Sequence, residues 1–481
     1  MVRMSFIYVI GRYSASTITL ASLSAFTHFI TPYEYGIYAL VIALATALYA
    51  TFGQWLRHVL LRFAQPEIDG KAPLPSLILK LFLVICIALA LIALAVSPFL
   101  SEEALYSLYF AFPLLVFMGL FELSIAWFQF KLRPASYVGL SILRAVLAAV
   151  LGVTTLYFGF GSSGLILSAL IAYGIASLPL FIITSFGLGS AKPALTYLKP
   201  MLAYGLPLAV SAALGSALIL ADRAIIAALI STEAAGLYAA PYDLAMRTLQ
   251  VLLLAINLAG TPLIIRAFES NDLIRTSKLL ERQWVLLVCS GFPVMLFLVF
   301  IPQGIASILL GPSFRQAGAD LMPIVAIATF IQGLESFYFS FAFALSKKPL
   351  KQTYILIIAM IINVILTIWL VSILGMRGGA WATLLSSIVA LFGSIFIGSS
   401  LQKLPLALNE LIRIALAAFP MTVILIWLAP DTPFHTILTG LLALSLYVLA
   451  LFGLNVAGLR QILLRFLRLQ FATLYSKGEL K

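Results

Sequence analysis

The chain alternates long apolar runs with short breaks rich in proline, glycine or charge. The breaks include Thr31-Pro32, Pro73-Leu74-Pro75, Ser97-Pro98, Gly159-Phe160-Gly161, Gly311-Pro312 and Ala429-Pro430. Turn residues of this kind punctuate helices rather than continue them. A helix that crosses a bilayer takes roughly 20 residues. The pattern predicts fourteen such helices, near 5–30, 35–62, 76–97, 104–130, 137–159, 163–187, 201–229, 235–265, 283–301, 319–345, 353–374, 378–400, 409–429 and 436–454. No connection is long enough to hold a folded soluble domain. The expected fold class is an all-α polytopic membrane protein. At the N-terminus Arg3 precedes an apolar stretch, but Arg12 interrupts it and the run continues to Ile30. That is a first membrane helix rather than a cleaved signal. In the tail from Leu459 to Phe471, Arg460, Gln461, Arg465 and Arg468 share one helical arc, with Leu459, Ile462, Leu463, Phe466 and Leu467 opposite. This pattern suits a helix lying on an anionic membrane surface.

Composition agrees. Of 481 residues, 63% are hydrophobic and 10% charged, with mean hydropathy +1.12. A soluble chain is about half apolar and a quarter charged. A soluble enzyme, a disordered tail and a collagen-like rod are therefore excluded. Cys86 and Cys289 each lie inside an apolar run and read as small core residues rather than a disulfide framework.

The net charge of +12, from 29 Lys and Arg against 17 Asp and Glu, would suggest nucleic acid on a soluble protein. Here the cations are sparse and topology explains them. Alternate connections and helix ends carry Arg3; Arg57, Arg62, Lys71, Lys80; Lys131, Arg133; Lys192, Lys199; Arg266, Arg275, Lys278, Arg282; Lys347, Lys348, Lys351; Lys403, Arg413; and five tail cations. The opposite set carries only Arg315 and Arg377, together with Glu34, Glu102, Glu103, Glu233, Asp320 and Asp431. A split of 23 cations against 2 places both termini in the cytoplasm by the positive-inside rule.

The sequence also repeats itself. Thr31–Leu40 matches Ser231–Ala240 at a shift of 200, aligning Gly36 with Gly236, Tyr38 with Tyr238 and Ala39 with Ala239. Gly161-Ser-Ser-Gly164 matches Gly375-Met-Arg-Gly378, and Pro134 after Lys131 and Arg133 matches Pro349 after Lys347 and Lys348. Order and similar spacing predict two six-helix lobes, 1–190 and 191–405, around a central cavity. The segment 406–481 adds two helices and the basic tail. An even number of spans per lobe makes the repeats parallel, with a substrate site between them.

These fragments resemble the multidrug/oligosaccharidyl-lipid/polysaccharide exporter superfamily, and within it the Wzx-type polysaccharide flippases. The carriers are Pro32-Tyr-Glu-Tyr-Gly-Ile-Tyr-Ala-Leu40, Asp222-Arg223, Gly236-Leu-Tyr-Ala-Ala-Pro-Tyr242 and Gly375-Met-Arg-Gly-Gly-Ala-Trp-Ala-Thr383. Their order covers nearly the whole chain; Pro241 departs from the usual small residue. The resemblance implies a transporter in a bacterial cytoplasmic membrane. It would flip undecaprenyl-diphosphate-linked oligosaccharide outward by alternating access, for O-antigen, capsule or exopolysaccharide. Membrane lipids, a polysaccharide polymerase and a chain-length regulator are the implied partners.

Ionisable groups inside a bilayer are costly and usually face a cavity or a partner. Four cations, Arg12, Arg144, Arg223 and Arg247, and four acids, Glu122, Asp222, Asp243 and Glu335, lie within predicted spans. A guanidinium presents a planar fork that fits diphosphate oxygens. Each position also has a structural alternative. Asp243 and Arg247, at i,i+4, would pair with each other. Adjacent Asp222 and Arg223 point apart, so one of them is expected to face a cavity. Arg12 and Arg144 sit where long side chains snorkel. Glu122 and Glu335, at similar repeat positions, either lock helices or carry a coupling proton. Arg57, His58 and Arg62 crowd the cytoplasmic end of helix 2, as an orientation signal first and a diphosphate capture point second. Prolines within spans, among them Pro179, Pro207 and Pro293, are bends or hinges. No cofactor is expected beyond a coupling H+ or Na+, with Asp222, Glu122 or Glu335 as the acids. Two other readings stay open: a drug exporter of the same superfamily, and a membrane glycan polymerase or ligase. The second would need a catalytic constellation that His28, His58 and His435 do not form.

Overall fold

The computed structural model describes residues 2–63, 73–185, 198–430, 432–458 and 460, and every regular element among them is helical. In chain order the long helices are α1 (Val2–Thr27), α2 (Pro32–Phe63), α3 (Pro73–Val96), α4 (Glu102–Phe130), α5 (Pro134–Tyr157), α6 (Gly161–Ser185) and α7 (Leu198–Leu229). They continue with α8 (Thr232–Glu269), α9 (Leu273–Phe300), α10 (Pro312–Leu345), α11 (Pro349–Leu374), α12 (Met376–Ser399), α13 (Leu408–Leu428) and α14 (Pro433–Gly453). Thirteen of these are long and apolar enough to cross a membrane. With α1, of 26 residues, they account for the fourteen expected helices. The chain is a multi-pass membrane protein. The amphipathic tail from Leu459 to Phe471 and the loop cations Lys71 and Lys192 lie outside the described residues, apart from the exposed Arg460.

Caps set the helix starts. Thr31 caps α2: its hydroxyl accepts from the Glu34 amide at 3.3 Å and the Glu34 carboxylate accepts from the Thr31 amide at 3.3 Å. Pro32 sits at the first helical position, where its missing N–H costs nothing. The repeat copies the device at the same shift of 200, with the Ser231 hydroxyl accepting from the Ala234 amide at 3.1 Å. Ser101 and Asp272 cap α4 and α9 in the same way. The Asp272 cap explains why α9 begins ten residues before the expected 283. Its first turns are helical but mostly exposed, and hydropathy registers only the apolar part. Two spans are irregular. α2 breaks at Gly53, which separates Pro32–Phe52 from Gln54–Phe63. α10 contains a π-helical turn over Glu335–Phe339.

By contacts the chain forms two compact units. The first comprises Met1–Leu244, Leu309–Ala317 and Leu356–Ser386; the second comprises Ala245–Ile308, Gly318–Ile355 and Ser387–Lys481. This partition differs from boundaries at 190 and 405, because all of α7, the first third of α8, most of α11 and the first half of α12 fall in the first unit. In the first unit, Trp55, Leu56, Ile78, Phe82 and Leu120 form one core cluster and Val41, Leu114, Leu115 and Ile166 another. In the second unit, Trp284, Phe330, Tyr338, Met421 and Tyr447 belong to a single cluster, and the Tyr447 hydroxyl donates to the Cys289 carbonyl at 2.8 Å. Both cysteines are unbridged: Cys86 is buried and Cys289 half-buried.

The α1–α2, α3–α4, α5–α6 and α7–α8 turns, all poor in cations, define what is called here the cation-poor end of the first unit. There the two copies of the repeated motif touch. A methyl group on Gly36 would lie 2.0 Å from the Thr232 carbonyl oxygen, and one on Gly236 would lie 1.9 Å from the Pro32 carbonyl oxygen. The contacts exchange at the repeat shift, so the two glycines form a quasi-symmetric crossing of α2 and α8 that only glycine admits. Gly311 packs equally closely on the Thr27 carbonyl, and its amide donates to the Thr27 hydroxyl at 2.9 Å.

Candidate functional site

Asp222 and Arg223, adjacent on α7, do point apart, and both are buried. The Arg223 guanidinium donates to Asp243 of α8 at 2.5 Å and to the Ala39 carbonyl of α2 at 3.3 Å. One residue thereby ties three helices together. The expected pairing of Asp243 with Arg247 is replaced, since Arg223 takes the Asp243 carboxylate. Arg223 is 4% exposed and does not present its fork to a cavity. Arg223 reaches Asp243 across the α7–α8 hairpin.

The Asp222 carboxylate sits in a ring of hydroxyls. Thr367 of α11 donates at 2.9 Å, Thr383 of α12 at 2.8 Å and Tyr238 of α8 at 3.4 Å. One turn before Thr367, fully buried Asn363 donates its amide to Ser386 at 3.3 Å, while its Oδ1 has no hydrogen-bond partner. A buried acceptor without a donor is costly. It lies on the same face of α11 as Thr367. The carboxylate and hydroxyl oxygens at Asp222 make an oxygen-only donor set, the chemistry that suits a hard cation or a proton.

The cations of the first repeat gather toward the cation-rich end. Arg57, half-buried, pairs with Glu122 of α4 at 3.2 Å and reaches Gln129 at 3.5 Å. Arg144 of α5 has no acidic partner among the described residues. Its guanidinium lies 5.0 Å from the Tyr173 ring centre and 5.6 Å from that of Phe121, and those two rings meet edge-on at 5.5 Å. Because α5 starts at Pro134, three residues earlier than expected, Arg144 is roughly 15 Å into its span at 1.5 Å per residue. Arg62 is exposed and stacks on Tyr204 of α7 at 4.2 Å.

In the second unit, Glu335 lies in the π turn of α10 and is 3% exposed. Ser394 of α12 donates to it at 2.9 Å, Gln352 of α11 at 3.2 Å and Ser336 at 3.1 Å. Glu122 has a cation and Glu335 has only neutral donors, although the two occupy similar repeat positions. Arg247 is half-buried with an unpartnered Nε. The Arg12 side chain lies outside the described residues. Sequence reasoning missed Thr367, Thr383, Tyr238 and Asn363 around Asp222. Small polar residues in apolar helices carry no individual signal, and only their convergence on one carboxylate marks them.

Comparison with solved structures gives the class first. A lipid II flippase, MurJ, in an inward closed conformation superposes with a TM-score of 0.76 at 15% identity, covering 94% of this chain and 99% of that one. A multidrug resistance MATE family transporter of the MOP superfamily, in an inward-facing conformation, gives 0.55 at 16% identity over 83% and 94%. A MOP superfamily transporter from Pyrococcus furiosus gives 0.56 at 15% over 84% and 96%. The fold is that of the multidrug/oligosaccharidyl-lipid/polysaccharide exporters. Residues 26–319 match the model of the polysaccharide biosynthesis protein family, and the chain belongs to that family. The likeness to the Wzx-type flippases read from the motifs is thus borne out in family and fold. A search of curated proteins by sequence finds no match.

Proposed function

We propose that this transporter flips a polyprenyl-diphosphate-linked oligosaccharide from the inner to the outer leaflet of a bacterial cytoplasmic membrane, with both termini cytoplasmic. The observation that carries the reading is Arg144. It is a guanidinium within a span, held on two aromatic rings and without an acidic partner among the described residues. Such a group binds a planar pair of phosphate oxygens well. Arg57, half-neutralised by Glu122, and exposed Arg62 would receive the diphosphate on its way in. The drug-exporter alternative calls for acids without cationic partners, whereas two of the four acids within spans, Asp243 and Glu122, are paired with arginines. Family membership supports polysaccharide assembly, where a polymerase and a chain-length regulator would act on the flipped product.

Asp222 is the coupling group this reading assigns. A proton or Na+ entering its hydroxyl ring would neutralise the carboxylate. The oxygens sit on α7, α8, α11 and α12, so the ion's arrival and release would act on four helices at once. Asp222→Asn should keep the protein folded and abolish gradient-driven transport. In cells making the polysaccharide, Arg144→Ala should accumulate lipid-linked oligosaccharide on the inner leaflet, while Arg144→Lys retains part of the export. Full export by a well-expressed Arg144→Ala protein would overturn the assignment.

A further inference from the structure

Within the first unit, at its cation-poor end, α2, α4 and α7 enclose a cavity of about 590 Å³. That volume is within the range of about 300–1,000 Å³ that holds drug-sized ligands. Its walls are apolar: Leu40 and Leu44 of α2 face Ala224 and Ala228 of α7, and the alanines leave the space. Its mouth has a different character. Glu102 and Glu103, both exposed in the first turn of α4, line it beside Tyr33 and Tyr106. Acids suit a helix N-terminus on their own account, and Glu103 accepts from Thr232 at 3.0 Å. Glu102 has no such partner among the described residues. Along α2 the cavity runs from Tyr33 to Leu44, roughly 16 Å at 1.5 Å per residue.

We propose that this cavity binds a single-chain amphiphile with an ammonium head. Charge and shape both select that class. The two carboxylates attract a cation and repel a phosphate or sulfate. Tyr33 and Tyr106, beside them in the lining, are aromatic rings of the kind that recognise alkylated ammonium groups by cation–π attraction. The narrow apolar walls accept one alkyl chain lying between α2 and α7. The diphosphate proposed as cargo is excluded from this mouth by sign, so the site is separate from the Arg57 and Arg144 region.

The test uses the purified full-length chain in phosphatidylcholine nanodiscs, titrated with octyltrimethylammonium while thermal unfolding is followed. Octyl sulfate and octyl glucoside, with the same chain, serve as head-group controls. The expected result is a saturable rise in melting temperature with the ammonium compound alone. Glu102→Gln with Glu103→Gln keeps an acceptor for Thr232 and should weaken the apparent affinity about tenfold. Ala228→Trp should fill the cavity and abolish the response. Should that variant be unstable, the wild-type head-group series and the glutamine pair decide the question alone. An equal shift with octyl sulfate, a response that never saturates, or an unchanged affinity in the glutamine pair would overturn the site. The measurement reads binding only and does not depend on what the protein exports.

Discussion

Arg223 makes two bonds that a neutral side chain does not reproduce, one to Asp243 and one to the Ala39 carbonyl. Removing one partner of a buried ion pair typically costs about 3–5 kcal/mol because a charge is left alone. Arg223→Ala should therefore lower the melting temperature and expression, and pairing it with Asp243→Ala should recover part of the loss. The sequence alone left open which of Asp222 and Arg223 faces a cavity; the tie across α2, α7 and α8 gives Arg223 a structural role. Glu335 gives the complementary case. Glu335→Gln keeps an oxygen for Ser394 and Gln352 and should be nearly neutral in a melting experiment. Glu335→Leu strands the buried Ser394 hydroxyl and the half-buried Gln352 amide at about 1–3 kcal/mol each and should be clearly destabilised.

At the level of the element, the crossing of α2 and α8 rests on two glycines whose methyl positions are occupied by each other's backbone. Gly36→Ala or Gly236→Ala should push the helices apart, at a cost of about 1–3 kcal/mol by analogy with overpacking. In a background lacking Cys86 and Cys289, a cysteine at Ala39, now 3% exposed, should become reactive to a small thiol reagent when Gly36→Ala is added. Unchanged labelling would show that the crossing tolerates a methyl group. Much of this architecture was legible beforehand. Helix number followed from apolar runs whose length the bilayer dictates, and the Gly36 and Gly236 correspondence followed from the shift of 200. What stayed hidden was partnership. Arg223 meets Asp243 and Asp222 meets Thr367 across intervals of 20 and 145 positions, and periodicity carries no information about which helix faces come together. The extent of α9 was hidden too, because its first turns are helical without being apolar.

For the whole molecule, an excess of +12 is concentrated at the connections on one side. A reporter fused after the last residue should be active only in its cytoplasmic form, and one inserted in the 302–311 connection only in its exported form. The opposite pattern would invert every statement about direction of transport. Fold and family define a polysaccharide-biosynthesis transporter, and the proposed cargo for it is a phosphorylated lipid. The direct measurement is flipping in proteoliposomes carrying a fluorescent polyprenyl-diphosphate oligosaccharide, with an impermeant quencher or glycosidase reporting the outer pool. The account predicts transfer by the wild-type chain and loss with Arg144→Ala in a protein that melts normally. Transfer at the rate of empty vesicles by wild type, or undiminished transfer by Arg144→Ala, would contradict it.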